Sequence, residues 1–270
     1  MGRIRWASLA AALIALAGCA TQEAASGIPP VAVDGARMAP APLPGRLLLP
    51  AGAGPHPLVI VLHGCAGISP RIDIWTNRLR DWGYGSLVLD SLTPRSVTSV
   101  CAPSRQPLVT RFDRAGDVVA AARWLQTQPG VDGKRLAVLG ESHGGSTAAT
   151  VALHPFSDAL AGKVQGAIDY YGNCRDPGRY GGMPLLAMAG DADTWGPPAA
   201  TCRAFAQALP PGLPFTLKVY PGAVHAFDSP SLISLRYSEG HPLQYDPAAA
   251  ADSFKQAQAF LLKTIGPGAR

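Results

Sequence analysis

A serine, an aspartate and a histidine stand on three separate turns of this chain, and each turn closes an apolar run. Ser142 lies in Gly140-Glu141-Ser142-His143-Gly144, directly after Arg135 to Leu139. G-x-S-x-G at the end of a strand is a nucleophile elbow, a tight strand-to-helix turn that lifts the serine hydroxyl above the sheet. Gly140 and Gly144 suit such a turn because neighbouring backbone packs too closely there for a Cβ. The small-residue run Ser146 to Leu153 can continue as a buried helix until His154-Pro155 stops it. Asp193 sits in Gly190-Asp191-Ala192-Asp193-Thr194-Trp195, and His225 in Pro221-Gly222-Ala223-Val224-His225-Ala226-Phe227. In this set His225 would take the proton of Ser142, and Asp193 would orient the imidazole, as nucleophilic acyl transfer requires. Asp191 is the rival acid; Asp193 is preferred because it stands three residues after Gly190.

Acyl transfer also needs donors for the negative oxygen that forms on the attacked carbonyl. The loop His63-Gly64-Cys65-Ala66-Gly67 follows another apolar run and can turn the Cys65 N–H toward that oxygen. The N–H of His143, directly after the nucleophile, would be the second donor. Trp195, Tyr171 and Phe227 are placed to line a substrate pocket. His56, His154 and His241 fall before a strand, at a helix end and in a late loop, where structural or solvated roles are expected. No pair of His or Cys residues has metal-ligand spacing and no dinucleotide fingerprint appears, so neither metal nor cofactor is expected.

The elements that must position these residues alternate. Strands are predicted at 47–49, 58–62, 86–89, 136–139, 166–171, 185–189 and 215–220, with helices near 72–82, 111–127, 143–153, 198–208 and 247–264. Runs as continuously apolar as Leu58-Val59-Ile60-Val61-Leu62 suit strands covered on both faces. Strand–helix alternation predicts an α/β fold with a mostly parallel central sheet, helices on both faces and right-handed crossovers. In such sheets function collects at the carboxyl ends of strands, where all three turns lie. Only residues 172–184 connect the strand ending at Tyr171 to the next, which leaves no room for a large cap domain. An open site bordered by loops 91–107 and 228–246 is therefore expected, with a preference for small or medium esters.

The chain has 270 residues, 47% of them hydrophobic and 15% charged, enough to bury one catalytic-size core. Its net charge of +5 is dispersed, with no basic cluster interleaved with aromatics, which argues against a nucleic-acid partner. At the N-terminus, Arg3 and Arg5 precede an apolar run from Trp6 to Leu16 that is too short to span a membrane stably. Leu16-Ala17-Gly18-Cys19 resembles a bacterial lipobox. The resemblance implies a signal peptide over 1–18 and lipidation of Cys19. It also implies a lipoprotein at the periplasmic face of the envelope, sorted to the outer membrane by the uncharged Ala20. An ordinary signal peptide cut near Ala20 is the alternative. Residues 19–44, rich in Ala, Pro and Gly, read as a flexible tether, and 45–270 as the catalytic domain, expected to be monomeric. In an exported chain the remaining four cysteines are expected to pair. Cys65 and Cys101 should follow neighbouring strands, as should Cys174 and Cys202, which favours 65–101 and 174–202 among the three pairings possible.

Leu62 to Gly67, Asp90 to Arg95 with Cys101, Gly140 to Gly145, Gly190 to Trp195, Tyr220 to Asp228 and Gly240 to Pro247 form a set of motifs. Together they resemble the dienelactone hydrolase family of α/β-hydrolases. The resemblance runs from about residue 45 to the C-terminus and implies a triad of Ser142, Asp193 and His225. The family's namesake uses a cysteine nucleophile where this chain has serine, and its substrate-carboxylate arginines have no matching positions here. The expected activity is hydrolysis of carboxylic esters through an acyl-enzyme on Ser142. A thioesterase or peptidase using the same residues, a non-catalytic binding lipoprotein and a structural envelope protein are the alternatives.

Overall fold

A computed structural model describes residues 22–102 and 108–268. The strands are β1 (Gln22–Ile28), β2 (Leu43–Leu49), β3 (His56–Leu62), β4 (Gly85–Leu89), β5 (Val131–Glu141), β6 (Val164–Tyr170), β7 (Leu185–Gly190), β8 (Phe215–Tyr220), β9 (Arg236–Ser238) and β10 (His241–Leu243). The helices are α1 (Ile72–Asp81), α2 (Arg111–Leu125), α3 (His143–Val151), α4 (Phe156–Leu160), α5 (Pro198–Ala208) and α6 (Pro247–Ile265). Eight strands form one sheet in the order β1-β2-β4-β3-β5-β6-β7-β8. β1 and β2 run antiparallel to their neighbours, and the rest of the sheet is parallel. β9 and β10 make a separate small hairpin.

The strands are apolar throughout because both faces are covered. Leu58, Ile60 and Leu62 of β3 point into a core shared with α2, α3, α4 and α5. Val59 and Val61 point the other way, into a core shared with α1 and α6. The period-2 alternation continues through Leu136 and Val138 against Ala137 and Leu139 of β5, and through Leu185 and Ala187 against Leu186 and Met188 of β7. Capping fixes where helices begin. Thr110 and Asp113 form a reciprocal capping box at α2, and the Asp246 carboxylate accepts from the N–H groups of Ala248 and Ala249 before Pro247 opens α6. Two disulfides, Cys65–Cys101 and Cys174–Cys202, pair as expected, with Cα separations of 4.8 and 4.7 Å.

The segment 19–44 departs from the expected tether. From residue 22 its backbone pairs with β2, Ile28 and Ala39 are fully buried, and Val31, Val33 and Ala36 pack on the core beside α2. Ala36 lies so close to α2 that a Cβ at Gly116 would come within 2.9 Å of it. The few apolar residues here lack any helix or strand period, so their burial is set by the face of α2 that they cover. The packed domain therefore includes β1 and the segment behind it. Signal peptide 1–18 and Cys19 lie outside the described residues. Among the described residues no helix is long and apolar enough to cross a membrane.

Ile28→Ala tests this correction. A tether residue would tolerate the change, whereas a fully buried isoleucine should cost about 2–5 kcal/mol on truncation. Urea unfolding should show a lower midpoint with an unchanged slope.

Candidate active site

Ser142 sits between β5 and α3 with φ 56°, a conformation that L-residues rarely adopt. Close packing holds it there. A Cβ on Gly140 would strike the Gly144 carbonyl, and one on Gly144 would strike the carbonyls of Leu62 and His63. The Ser142 N–H donates to Tyr170 O at 2.8 Å, which ties the elbow to β6. Tyr171 (φ 43°) and Ala226 (φ 57°) carry two more such backbones beside the same site. Clustered strain of this kind persists only where surrounding structure over-determines it.

The three sequence-predicted residues converge. Ser142 Oγ is 2.9 Å from His225 Nε2, and His225 Nδ1 is 2.8 Å from Asp193 Oδ2. A carboxylate can only accept, so Nδ1 carries the proton and Nε2 is free to take one from the serine. Asp193 and His225 are both buried, and the second Asp193 oxygen accepts the Trp195 N–H at 2.8 Å. Asp191 is exposed and accepts the Gly222 N–H at 2.7 Å, so it shapes the loop and does not meet His225.

The loop 63–67 passes beside the nucleophile, where a Cβ on Gly64 would lie 3.7 Å from Ser142 Cβ. Gly64 and Cys65 line the same cavity as Ser142 and His225. The His143 N–H is the first of α3 and has no intrahelical acceptor, so it is free to serve a ligand. The His143 ring turns away from the cavity and meets Arg114 Nη1 at 2.8 Å. The cavity, about 70 Å³, is lined also by the disulfide-bonded Cys65 and Cys101 and by Leu243.

Tyr171 and Trp195 line this cavity as expected. Trp195 lies 4.9 Å from the His225 ring and stacks on His241 at 5.2 Å, so His241 buttresses the pocket wall. Phe227 does not line the cavity. It is fully buried against Tyr170, Tyr171 and Tyr220, because the positive φ at Ala226 turns the chain inward there. Asp169, Cys174 and Cys202 are the one group of three ligand-type side chains close together among the described residues, and the disulfide leaves that group no thiolate.

An acid cluster unmarked in the sequence underlies the pocket. The Tyr171 hydroxyl donates to Asp228 Oδ1 at 2.8 Å and lies 3.2 Å from Glu141 Oε1. Burial, reinforced by the charge of Asp228, pushes the Glu141 carboxyl up to about 8, and burial also raises Asp228. The available signal was a glutamate within an apolar strand-to-turn run, which the serine beside it overshadows. Arg114 was equally hidden, as a cation inside the largely apolar helix α2.

The dienelactone hydrolase family profile matches residues 43–265. Among solved structures, one described as a candidate dienelactone hydrolase of Klebsiella pneumoniae is 22% identical, with a TM-score of 0.69, over 90% of this chain and 99% of that one. The dienelactone hydrolase of Anabaena variabilis is 21% identical with a TM-score of 0.64, over 91% and 99%. Butyrate-bound esterase 2 of Thermogutta terrifontis is 18% identical with a TM-score of 0.63, over 92% and 96%. These likenesses establish the fold. No curated protein matches the chain.

The Glu141 proton sets a pH dependence of stability. The folded protein keeps it up to about pH 8, while the unfolded chain releases it near the ordinary value of 4.5. The folded state thus binds more protons between these values, and stability falls as pH rises across that window. Glu141→Gln, which cannot ionise, should gain stability relative to the native chain between pH 5 and pH 8.5 in urea unfolding.

Proposed function

This chain belongs to the dienelactone hydrolase family, and we propose that it hydrolyses carboxylic esters through an acyl-enzyme on Ser142. The carrying observation is the continuous hydrogen-bond chain from Asp193 through His225 to Ser142 Oγ, with steps of 2.8 and 2.9 Å. In the proposed reaction His225 Nε2 takes the Ser142 proton as Oγ attacks the ester carbonyl carbon. The oxygen that becomes negative is held by the N–H groups of Cys65 and His143, each worth about 3–4 kcal/mol in comparable sites. His225 then returns the proton to the departing alcohol. Water, activated by the same histidine, attacks the acyl-enzyme and releases the acid. Asp193 holds the imidazole tautomer and stabilises its positive charge in both halves.

The small cavity and the short 172–184 connection support a preference for small or medium acyl groups, since neither offers a covered channel for a long chain. Two disulfides support an oxidising compartment, in keeping with an exported lipoprotein anchored through Cys19 at the periplasmic face.

Hydrolysis of p-nitrophenyl acetate and butyrate by the purified protein tests the reading. Ser142→Ala should lose at least about a thousandfold in kcat while keeping its circular dichroism. Asp193→Asn should lose about 10³–10⁴-fold and Asp191→Asn almost nothing. Persistent turnover in Ser142→Ala would refute the acyl-enzyme, and faster turnover of p-nitrophenyl palmitate than of butyrate would refute the size preference.

A further inference from the structure

Arg114, in the first turn of α2, is completely buried. A buried guanidinium normally meets a carboxylate, because an unpaired charge in the interior costs several kcal/mol. Among the described residues none lies within ion-pair distance of Arg114. Asp117, one turn further on, is bound by both terminal nitrogens of Arg95 at 2.8 and 2.9 Å. Arg114 instead donates from Nη2 to the His63 carbonyl at 2.7 Å and from Nη1 to His143 Nδ1 at 2.8 Å. Its Nε has no partner. Two neutral acceptors, on two different segments, take up this buried fork.

Those segments carry the two donors proposed for the oxyanion. His63 opens the loop whose next peptide but one presents the Cys65 N–H, and His143 presents its own. The guanidinium is planar and rigid, so bonds from both terminal nitrogens hold the two segments at one separation and angle. Arginine only donates, so His143 Nδ1 must be a bare lone pair, which fixes that ring's tautomer. Burial, and then the Arg114 charge, hold His143 down to about 3, so the ring stays neutral. His63 is likewise kept neutral, at about 3, and its Nδ1 donates to Gly64 O at 2.7 Å, which stiffens the loop from within.

We propose that Arg114 is a positioning residue for ester hydrolysis: its fork, bound to His63 O and His143 Nδ1, sets the spacing of the Cys65 and His143 N–H groups that hold the oxyanion. This rests on the acyl-enzyme reading above. Arg114 touches no substrate and acts only through the two segments it ties.

The test compares the full-length protein with Arg114→Met and Arg114→Lys, on p-nitrophenyl butyrate and its thionoester. Sulfur is a poor hydrogen-bond acceptor, so the thionoester gains little from oxyanion donors. The ester-to-thionoester rate ratio therefore reports donor placement, which a general loss of folded enzyme would not change. Arg114→Met should lower kcat for the ester by about 10–100-fold with KM within about threefold, because an ångström-scale misplacement costs that much. The rate ratio should fall by a similar factor, and Arg114→Lys should recover part of both. A folded Arg114→Met with native kcat overturns the proposal, as does a lowered kcat with an unchanged ratio. If Arg114→Met does not fold by circular dichroism, His143→Leu removes one acceptor of the fork while leaving the backbone N–H, and its ratio must fall too. Failure of the underlying reading is seen separately. It would appear as a native protein that neither turns over the ester nor is labelled by a fluorophosphonate at Ser142, and it would remove this proposal as well.

Discussion

The first turn of α3 packs against the ends of β3, β5 and β6 with no space for side chains at Gly140, Gly144 and Gly145. Cβ atoms there would strike the Gly144 carbonyl, the Leu62 and His63 carbonyls, and the Asp169 carboxyl or Tyr170 carbonyl respectively. That contact forces the positive φ at Ser142 and lifts its hydroxyl to His225. It also sets the His143 N–H beside the loop that carries Cys65. The nucleophile and the first turn of α3 therefore take their places from one close approach of backbone to backbone. Rigid packing of this kind is a more exact placement device than a mobile loop.

Around this contact the protein buries several charged side chains. Arg95 and Asp117 neutralise one another directly, with both side chains nearly inaccessible, and Arg37 pairs with Asp113 at the α2 cap. Arg114 is stabilised by neutral acceptors, and Glu141 escapes its burial cost by keeping its proton. Each solution follows from the low dielectric of the interior, where an ion must find a partner, a set of dipoles or its neutral form. Charged groups in α2 lie beneath the loop 63–67, and the acid cluster lies beneath Tyr171. The pocket thus has polar supports on two sides and an apolar wall of Trp195 stacked on His241.

Much of this was legible in the sequence because the signals were local. The parallel strands appear as continuous apolar runs, and the predicted element positions agree with β2 to β8 and the five long helices to within a few residues. Triad order followed from reading the residue after each strand, since a parallel sheet brings all those ends to one edge. The disulfide pairs followed from which segments leave neighbouring strands. By contrast, the sequence does not mark β1 or the segment behind it, because an Ala- and Pro-rich stretch with scattered apolar residues carries no period and suggests a tether. Phe227, an aromatic in the loop that carries His225, is expected at the pocket, whereas the positive φ at Ala226 turns it into the core.

By itself the sequence determined the strand–helix alternation, the elbow and the places of Ser142 and His225 after their strands, because apolar periodicity and glycine placement act over a few residues. Only the tertiary structure decided which acid meets the histidine, where Phe227 goes, and that Arg114, Glu141 and Asp228 belong to the site's support. Those outcomes depend on contacts between segments tens of residues apart and on burial, which changes what a charge costs. A charged residue written in a sequence has no stated dielectric; the fold supplies it.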